Sequence, residues 1–300
     1  MKKRLSLLLA LVLAFSLTAC AEAPQDANLK EPSNVTNESE PAKEPSTEQE
    51  PSGQASIAET VLVDESDIKI TATGLDADGF LGVEVKLLIE NNSDQDLTFQ
   101  ARNVSVNGYM VEPIMSADVA AGKKANDSMT LDSSELEACG IKTIADIEFA
   151  FAVMTTEDYE AYLDTKQIQL KTSAAEGFEY SYDEAGTPVY EGNGIKIVAR
   201  GLSEDDSIFG PGLILYIYNS GDKAVTIQTQ DVSVNGFMLD PIFSQDVFPG
   251  KHSVSAVTFM DTDLEENNIT NISEIELSFH IFDTDSWDSI TDTDKVTLSF

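Results

Sequence analysis

Few residues in this chain have the type and spacing to do chemistry, and most that do are acids. Asp76-Ala77-Asp78-Gly79 carries a fragment of the pattern by which calcium loops gather carboxylate and carbonyl oxygens, which makes Asp76 and Asp78 candidate metal ligands, for Ca²⁺ first. The third acid and the distal bidentate glutamate of an EF-hand are missing, and a solvated acidic turn is the competing reading. A second acidic run, Asp283-Thr284-Asp285-Ser286-Trp287-Asp288, continues to Asp292 and Asp294 and sets the chain's single tryptophan among carboxylates. An aromatic ring beside acids can stack on a sugar or another ring. Tyr159 stands in the equivalent place earlier in the chain, so Tyr159 and Trp287 are the candidate ligand-binding residues. The alternative is that each ring packs over the end of its fold as a plug.

Catalysis would need an acid, a base or a nucleophile in a constellation. Both histidines, His252 and His280, lie in the later part of the chain, and His280 sits in an apolar strand pattern that suits a structural histidine. No GxSxG, HExxH or phosphate-binding glycine loop is present, and the expectation is a non-enzymatic protein without a required cofactor. Cys139, in LEACG, has no Lys, Arg or His immediately beside it to lower its pKa and reads as a small packed residue.

The elements that must hold these residues repeat. Val104 to Met110 reads VSVNGYM, and 128 residues later Val232 to Met238 reads VSVNGFM; across Asn103–Asn126 and Asp231–Val254, 13 of 24 positions are identical. Pairs such as Pro113/Pro241, Asp118/Asp246, Gly122/Gly250 and Phe151/Phe279 keep the same offset, which reads as a tandem duplication. Asn-Gly between alternating runs predicts a hairpin, because both residues tolerate the positive φ of a type I′ turn. The repeated Val positions and the aromatic-Met pair after the turn are expected to be buried as a pin on strand register.

Strands are predicted at Ile68–Leu75, Val83–Asn91, Leu97–Gln100, Val104–Val106, Tyr109–Ile114, Asn126–Leu131, Ile147–Met154 and Lys166–Thr172, with matching runs in the second copy. Asp132 to Ser134 caps a short helix that Gly140 stops. Gly177 to Gly194 reads as a strand, a turn at Glu184-Ala185-Gly186 and a lead-in strand, a connection short enough for the copies to touch. About seven strands in roughly 110 residues, with turns every eight to twelve, predict an all-β chain of two tandem immunoglobulin-like antiparallel β-sandwiches, each with one short helix. A barrel has the same periodicity and stays open as an alternative. The expected domains are residues 57–173 and 174–300.

The amino terminus explains where such domains would sit. Lys2-Lys3-Arg4, an apolar run from Leu5 to Leu17 and small residues before Cys20 form the three-part pattern of an export signal over residues 1–19, too short to span a membrane. Leu17-Thr18-Ala19-Cys20 resembles the lipobox of bacterial lipoproteins, and the resemblance implies that Cys20 is the lipid-attachment site holding the protein on the bilayer's extracytoplasmic face. Residues 20–56, with five of the ten prolines and no aromatic residue beyond Cys20, read as a disordered acidic tether reaching at most roughly 120 Å. Only Cys139 would remain beside the acylated cysteine, so no disulfide can form within the folded part. Formal charge is -35, from 53 acids against 18 bases, and a surface of that sign repels phosphate backbones and anionic lipid headgroups. Nucleic acid is thereby excluded as a partner.

Lipobox, acidic tether and duplicated Asn-Gly hairpin with its Pro and Gly-Lys turn together resemble the immunoglobulin-like, function-unassigned surface lipoproteins of Gram-positive bacteria. That resemblance implies cell-surface placement and a sandwich fold, and brings no catalytic residues. The expected function is a lipid-anchored, non-enzymatic protein presenting two domains to a surface protein or glycan; the alternative is a structural or accessory subunit of a cell-envelope assembly. Replacing Cys20 by Ser is expected to release the protein into the medium, measured by partition between membrane and culture supernatant; retention on the membrane would refute acylation at this residue.

Overall fold

The computed structural model describes residues 55–203 and 209–300. The predicted signal segment, Cys20 and nearly all of the predicted tether lie outside the described residues, as does the acidic run Glu204-Asp205-Asp206. Alternating apolar residues and Asn, Asp and Gly turns produce an all-β chain: 21 strands and two six-residue helices among the described residues. None of these helices is long and apolar enough to cross a membrane.

The strands form three sheets. The first runs Thr60–Glu65, Ile68–Asp76, Gly82–Asn91, Lys123–Asp132, Pro113–Ile114, all antiparallel. The third contains Phe237–Met238, Val225–Val234, Glu274–Asp283 and Ser289–Asp292, with Ser244–Val247 and Val296–Ser299 at its margins. Between them a ten-stranded sheet draws on both copies. It passes from Ala161–Asp164, Asp146–Thr155 and Leu97–Val106 to Tyr109–Met110, then to His252–Thr258, Gly212–Asn219, Ile195–Leu202 and Thr187–Gly192.

Two apolar cores fill the space between layers. Phe99, Phe149, Phe151, Ile70, Leu87 and Met129 centre the first, and Leu215, Ile217, Val257, Phe259, Phe279 and Ile281 the second. Each such side chain contributes roughly 1.5–3 kcal/mol on leaving water. Registers repeat at the 128-residue offset: Leu97 faces Thr155 as Val225 faces Asp283, and Val106 faces Tyr109 as Val234 faces Phe237. The outer face of the Gly82–Asn91 and Lys123–Asp132 pair is charged, with Glu90 bonded to Lys124 and 3.8 Å from Lys69, and Lys86 bonded to Glu84.

Several boundaries differ from the sequence expectation. Leu97–Gln100 and Val104–Val106 belong to one strand, Leu97–Val106, because a bulge with Asn103 at φ 55° absorbs the break in alternation; Asp231, at φ 50°, does the same in Val225–Val234. The expected Tyr109–Ile114 strand is divided into Tyr109–Met110 and Pro113–Ile114, which join different sheets. The strand expected at Gly177–Asp183 is not formed. Its alternating aromatics serve side-chain packing instead: Tyr180 donates to Asp146 Oδ2 (2.7 Å) and Tyr182 to the Asn107 carbonyl (3.2 Å). Thr60–Glu65, Ala161–Asp164 and Ser289–Asp292 were not anticipated.

Asn107 and Gly108 both take the positive φ expected of the turn (50° and 85°), as do Asn235 and Gly236. Each asparagine also ties the hairpin to the next loop. Asn107 donates to the Thr143 carbonyl (2.7 Å) and accepts from the Ala145 and Asp146 amides; Asn235 donates to Asn271 and accepts from Ser273 and Glu274.

The copies meet at the first hairpin. His252 N–H donates to the Gly108 carbonyl (2.9 Å) across the sheet's one parallel pairing, His252 with Tyr109. The His252 ring is stacked between Tyr182 (centroids 3.5 Å apart) and Tyr218 (4.4 Å), and its Nδ1 lies 2.7 Å from the Tyr216 hydroxyl, which donates to Glu184 Oε1. Tyr109, Val198 and Tyr216 form a small buried cluster here, and Lys251 bonds Glu148 (2.7 Å). Burial drives the His252 pKa down to about 4, partly opposed by Glu184.

Two outcomes follow from these contacts. Asn107→Ala strands the buried Ala145 and Asp146 amides and the Thr143 carbonyl and removes the polar side chain that makes the left-handed region tolerable, so it is expected to cost about 3 kcal/mol, against about 1 kcal/mol for the more open Asn235→Ala, by denaturant melts. For His252 the folded pKa lies below the ordinary 6.5, so the unfolded chain binds the extra proton. That stabilisation is complete above pH 6.5 and is lost as pH falls toward 4, by up to ~3 kcal/mol. Melting temperature against pH should fall through this window and flatten there in His252→Phe.

Candidate functional site

Trp287 sits at the tip of a loop whose conformation is set by one carboxylate. Asp283, at the end of the Glu274–Asp283 strand, accepts from the Asp285 and Ser286 amides (both 3.0 Å) and from Lys223 Nζ (2.7 Å). The Lys223 ammonium, with those amides, holds its pKa down to about 2. The turn then closes by Trp287 N–H to the Asp283 carbonyl (2.9 Å), with Trp287 at φ 63°. The indole is 75% exposed and stacked on Phe282 (5.5 Å, 20°). A large aromatic face is thus held outward on a buried ring.

Tyr159 has the same backbone: φ 56°, its N–H on the Thr155 carbonyl (3.0 Å), and the ring 68% exposed. Thr155 replaces Asp283 there, and its Oγ1 accepts from the Glu160 amide (3.1 Å). No stacked partner supports the Tyr159 ring among the described residues. Neither ring is buried as a plug would be.

Sequence reading missed the side chains that complete the Trp287 surface. His280 and Phe282 lie two residues apart on one strand and share a face, and their rings are 5.2 Å apart. His280 therefore extends the row from Trp287 through Phe282. Its Nδ1 is 2.6 Å from Asp292 Oδ1, in a directly opposed pair of strand positions. Ser286 donates to Asp288 Oδ2 (3.1 Å) at the far end. The period-two spacing of 280 and 282 was available in the sequence, but not the pairing with Asp292, which depends on register. Carboxylates flanking a flat apolar ring match the face and hydroxyl rim of a sugar.

Asp76 and Asp78 share one loop, where Asp76 Oδ1 accepts the Asp78 amide (3.1 Å) and Oδ2 lies 3.4 Å from Lys86 Nζ. Lys86 thus pairs with one carboxylate oxygen of Asp76. No group of three or more His, Cys, Asp or Glu suited to a metal ion occurs among the described residues. Cys139 is half-buried against the Tyr109 cluster, and burial pushes its thiol up to about 12, far from a reactive thiolate.

The two hairpins differ in cover. Tyr109 is 4% exposed beneath the second copy, and Met110 packs on the second core. Their counterparts, Phe237 and Met238, are 47% and 65% exposed at the edge of the third sheet, contrary to the expectation that both aromatic-Met pairs are buried. The physical reason is that nothing among the described residues lies over Phe237 as His252 and Tyr216 lie over Tyr109.

No protein-family model matches the chain, and no curated protein matches it. Among solved structures it is similar to the YadV chaperone, at 13% identity over 78% of this chain and 100% of that one, with a TM-score of 0.24. It is also similar to a protein of unknown function from Porphyromonas gingivalis (12%; 82% and 99%; TM-score 0.20). The CupB2 chaperone of Pseudomonas aeruginosa gives 11%, 72% and 92%, and 0.18. Similarities of this size carry no argument about function.

Proposed function

We propose that this chain is a lipid-anchored, extracytoplasmic, non-enzymatic protein that presents two immunoglobulin-like domains for ligand binding, and that Trp287 is its ligand platform. The observation that carries the reading is the exposed indole stacked on Phe282 in a loop pinned by Asp283. An aromatic face held in place before binding loses little conformational entropy when a ring stacks on it. Ser286, Asp288 and the His280–Asp292 pair supply polar groups for hydroxyls around that ring, so the substrate class is a neutral or cationic glycan. The acidic surface disfavours anionic polymers. Anchorage rests on Leu17-Thr18-Ala19-Cys20, and the tether would hold the folded part clear of the bilayer.

A second reading, an accessory subunit that docks a protein, is favoured by the uncovered Phe237–Met238 edge.

Trp287 is the only tryptophan, so fluorescence excited selectively at the indole, beyond tyrosine absorption, reports this site alone. Titration with neutral cell-surface glycans is expected to quench or blue-shift the emission saturably, and Trp287→Ala should weaken binding by about tenfold or more in calorimetry, as expected for a stacked ring. Unchanged emission across a glycan panel would sink the platform reading.

A further inference from the structure

The contact between the copies is a template for a second contact that is not made among the described residues. At the first hairpin three groups of the second copy do the covering: the His252 amide on the Gly108 carbonyl, the Lys251 ammonium on Glu148, and an aromatic floor under Tyr109 that includes Tyr216. The second hairpin has the same register and turn, and its Ser233–Glu276 pairing matches Ser105–Glu148. Yet Gly236 and Phe237 are exposed, and no backbone donor among the described residues reaches the Gly236 carbonyl. Glu276 has no cation among them: its carboxylate takes Ser233 Oγ (3.2 Å) and Thr297 Oγ1 (3.5 Å) instead. In the first copy Glu148 is given to Lys251, and the Ser105 hydroxyl is left without a partner.

We propose that the Gly236–Met238 edge and Glu276 form a docking site for the edge strand of a different protein. That strand donates a backbone N–H to the Gly236 carbonyl, places a Lys or Arg on Glu276 and covers Phe237 and Met238 with an apolar or aromatic face. Strand addition at an open sheet edge supplies the main-chain bond, and the adjacent side chains supply specificity. A strongly acidic chain favours a basic partner on approach as well as in the contact.

A second copy of this chain is a poorer occupant. It would bring Lys123 to the place of Lys251, but Leu88, Glu90, Lys124 and Asn126 stand where Tyr216, Tyr218, His252 and Val254 make the floor. Seating Phe237 there would desolvate the Glu90–Lys124 ion pair, with Leu88 as the one apolar residue of the four to receive the ring. This site does not depend on the Trp287 platform.

The test uses the full-length protein in the cells that make it, with p-benzoylphenylalanine placed at Phe237 as a photo-crosslinking probe. Irradiation is expected to give one adduct with another protein, its mapped crosslink lying in a strand within about two residues of a Lys or Arg. Glu276→Gln and Met238→Asp, each with an unchanged melting temperature, should cut the yield roughly tenfold or more. Changing the mapped basic residue to Glu should also cut it, and Glu276→Lys should then restore it. Trp287→Ala should leave the yield unchanged, which separates this proposal from the glycan reading. Adducts of the chain with itself, absence of any adduct, a crosslink remote from basic residues, or a yield insensitive to Glu276→Gln would each overturn it.

Discussion

The arrangement of the described residues depends on the cover given to one hairpin carbonyl. Gly108 can expose its carbonyl to the His252 amide because Asn107 and Gly108 together adopt the left-handed turn, and Asn107 holds that turn against the Thr143–Asp146 loop. Once the bond forms, Tyr109 is buried, Met110 reaches the second core and the central sheet continues from one copy into the other. A single backbone bond is worth only about 1 kcal/mol net, so the Tyr109–Tyr182–Tyr216–Tyr218 packing around His252 must supply most of the attachment. That places a titratable ring where the two copies join.

Much of this was legible in residue types. Asn-Gly announced both hairpins because few residues accept that backbone, and the strands were found wherever alternation was unbroken. Asp118 and Asp246 were visible only as matched acids. In the fold each accepts from a strand threonine, Thr98 or Thr226, at 2.6 Å, and so they hold the sheet together. Alternation failed as a guide where another force set the pattern. At Asn103 and Asp231 a bulge shifts the phase, and at Tyr180 and Tyr182 the aromatics alternate to pack on the junction without any strand pairing. The candidate site was half visible. Trp287 stood out as a lone aromatic among acids, but its support by Phe282 and the His280–Asp292 pair arises from cross-strand register, which local spacing does not encode.

The two copies are alike where the backbone needs particular residues and different where side chains meet solvent. Asn91 and Asn219, both buried, each bridge two carbonyls in the same way. By contrast Thr155 and Asp283 occupy one position, and only the aspartate recruits Lys223. The same backbone turn therefore lifts a tyrosine in one copy and a tryptophan backed by a second ring in the other.

The charged outer face of the Gly82–Asn91 and Lys123–Asp132 strands disfavours head-to-tail growth. A contact that joins unlike surfaces and repeats at a fixed offset does not close on itself; with an aromatic floor at both ends, each molecule would accept the hairpin of the next and chains would grow without limit. Ion-paired Glu90 and Lys124 replace that floor at the leading end. A hairpin docking there would have to desolvate an ion pair where the Gly108–His252 contact buries aromatic rings, so the addition of one molecule to the next is disfavoured.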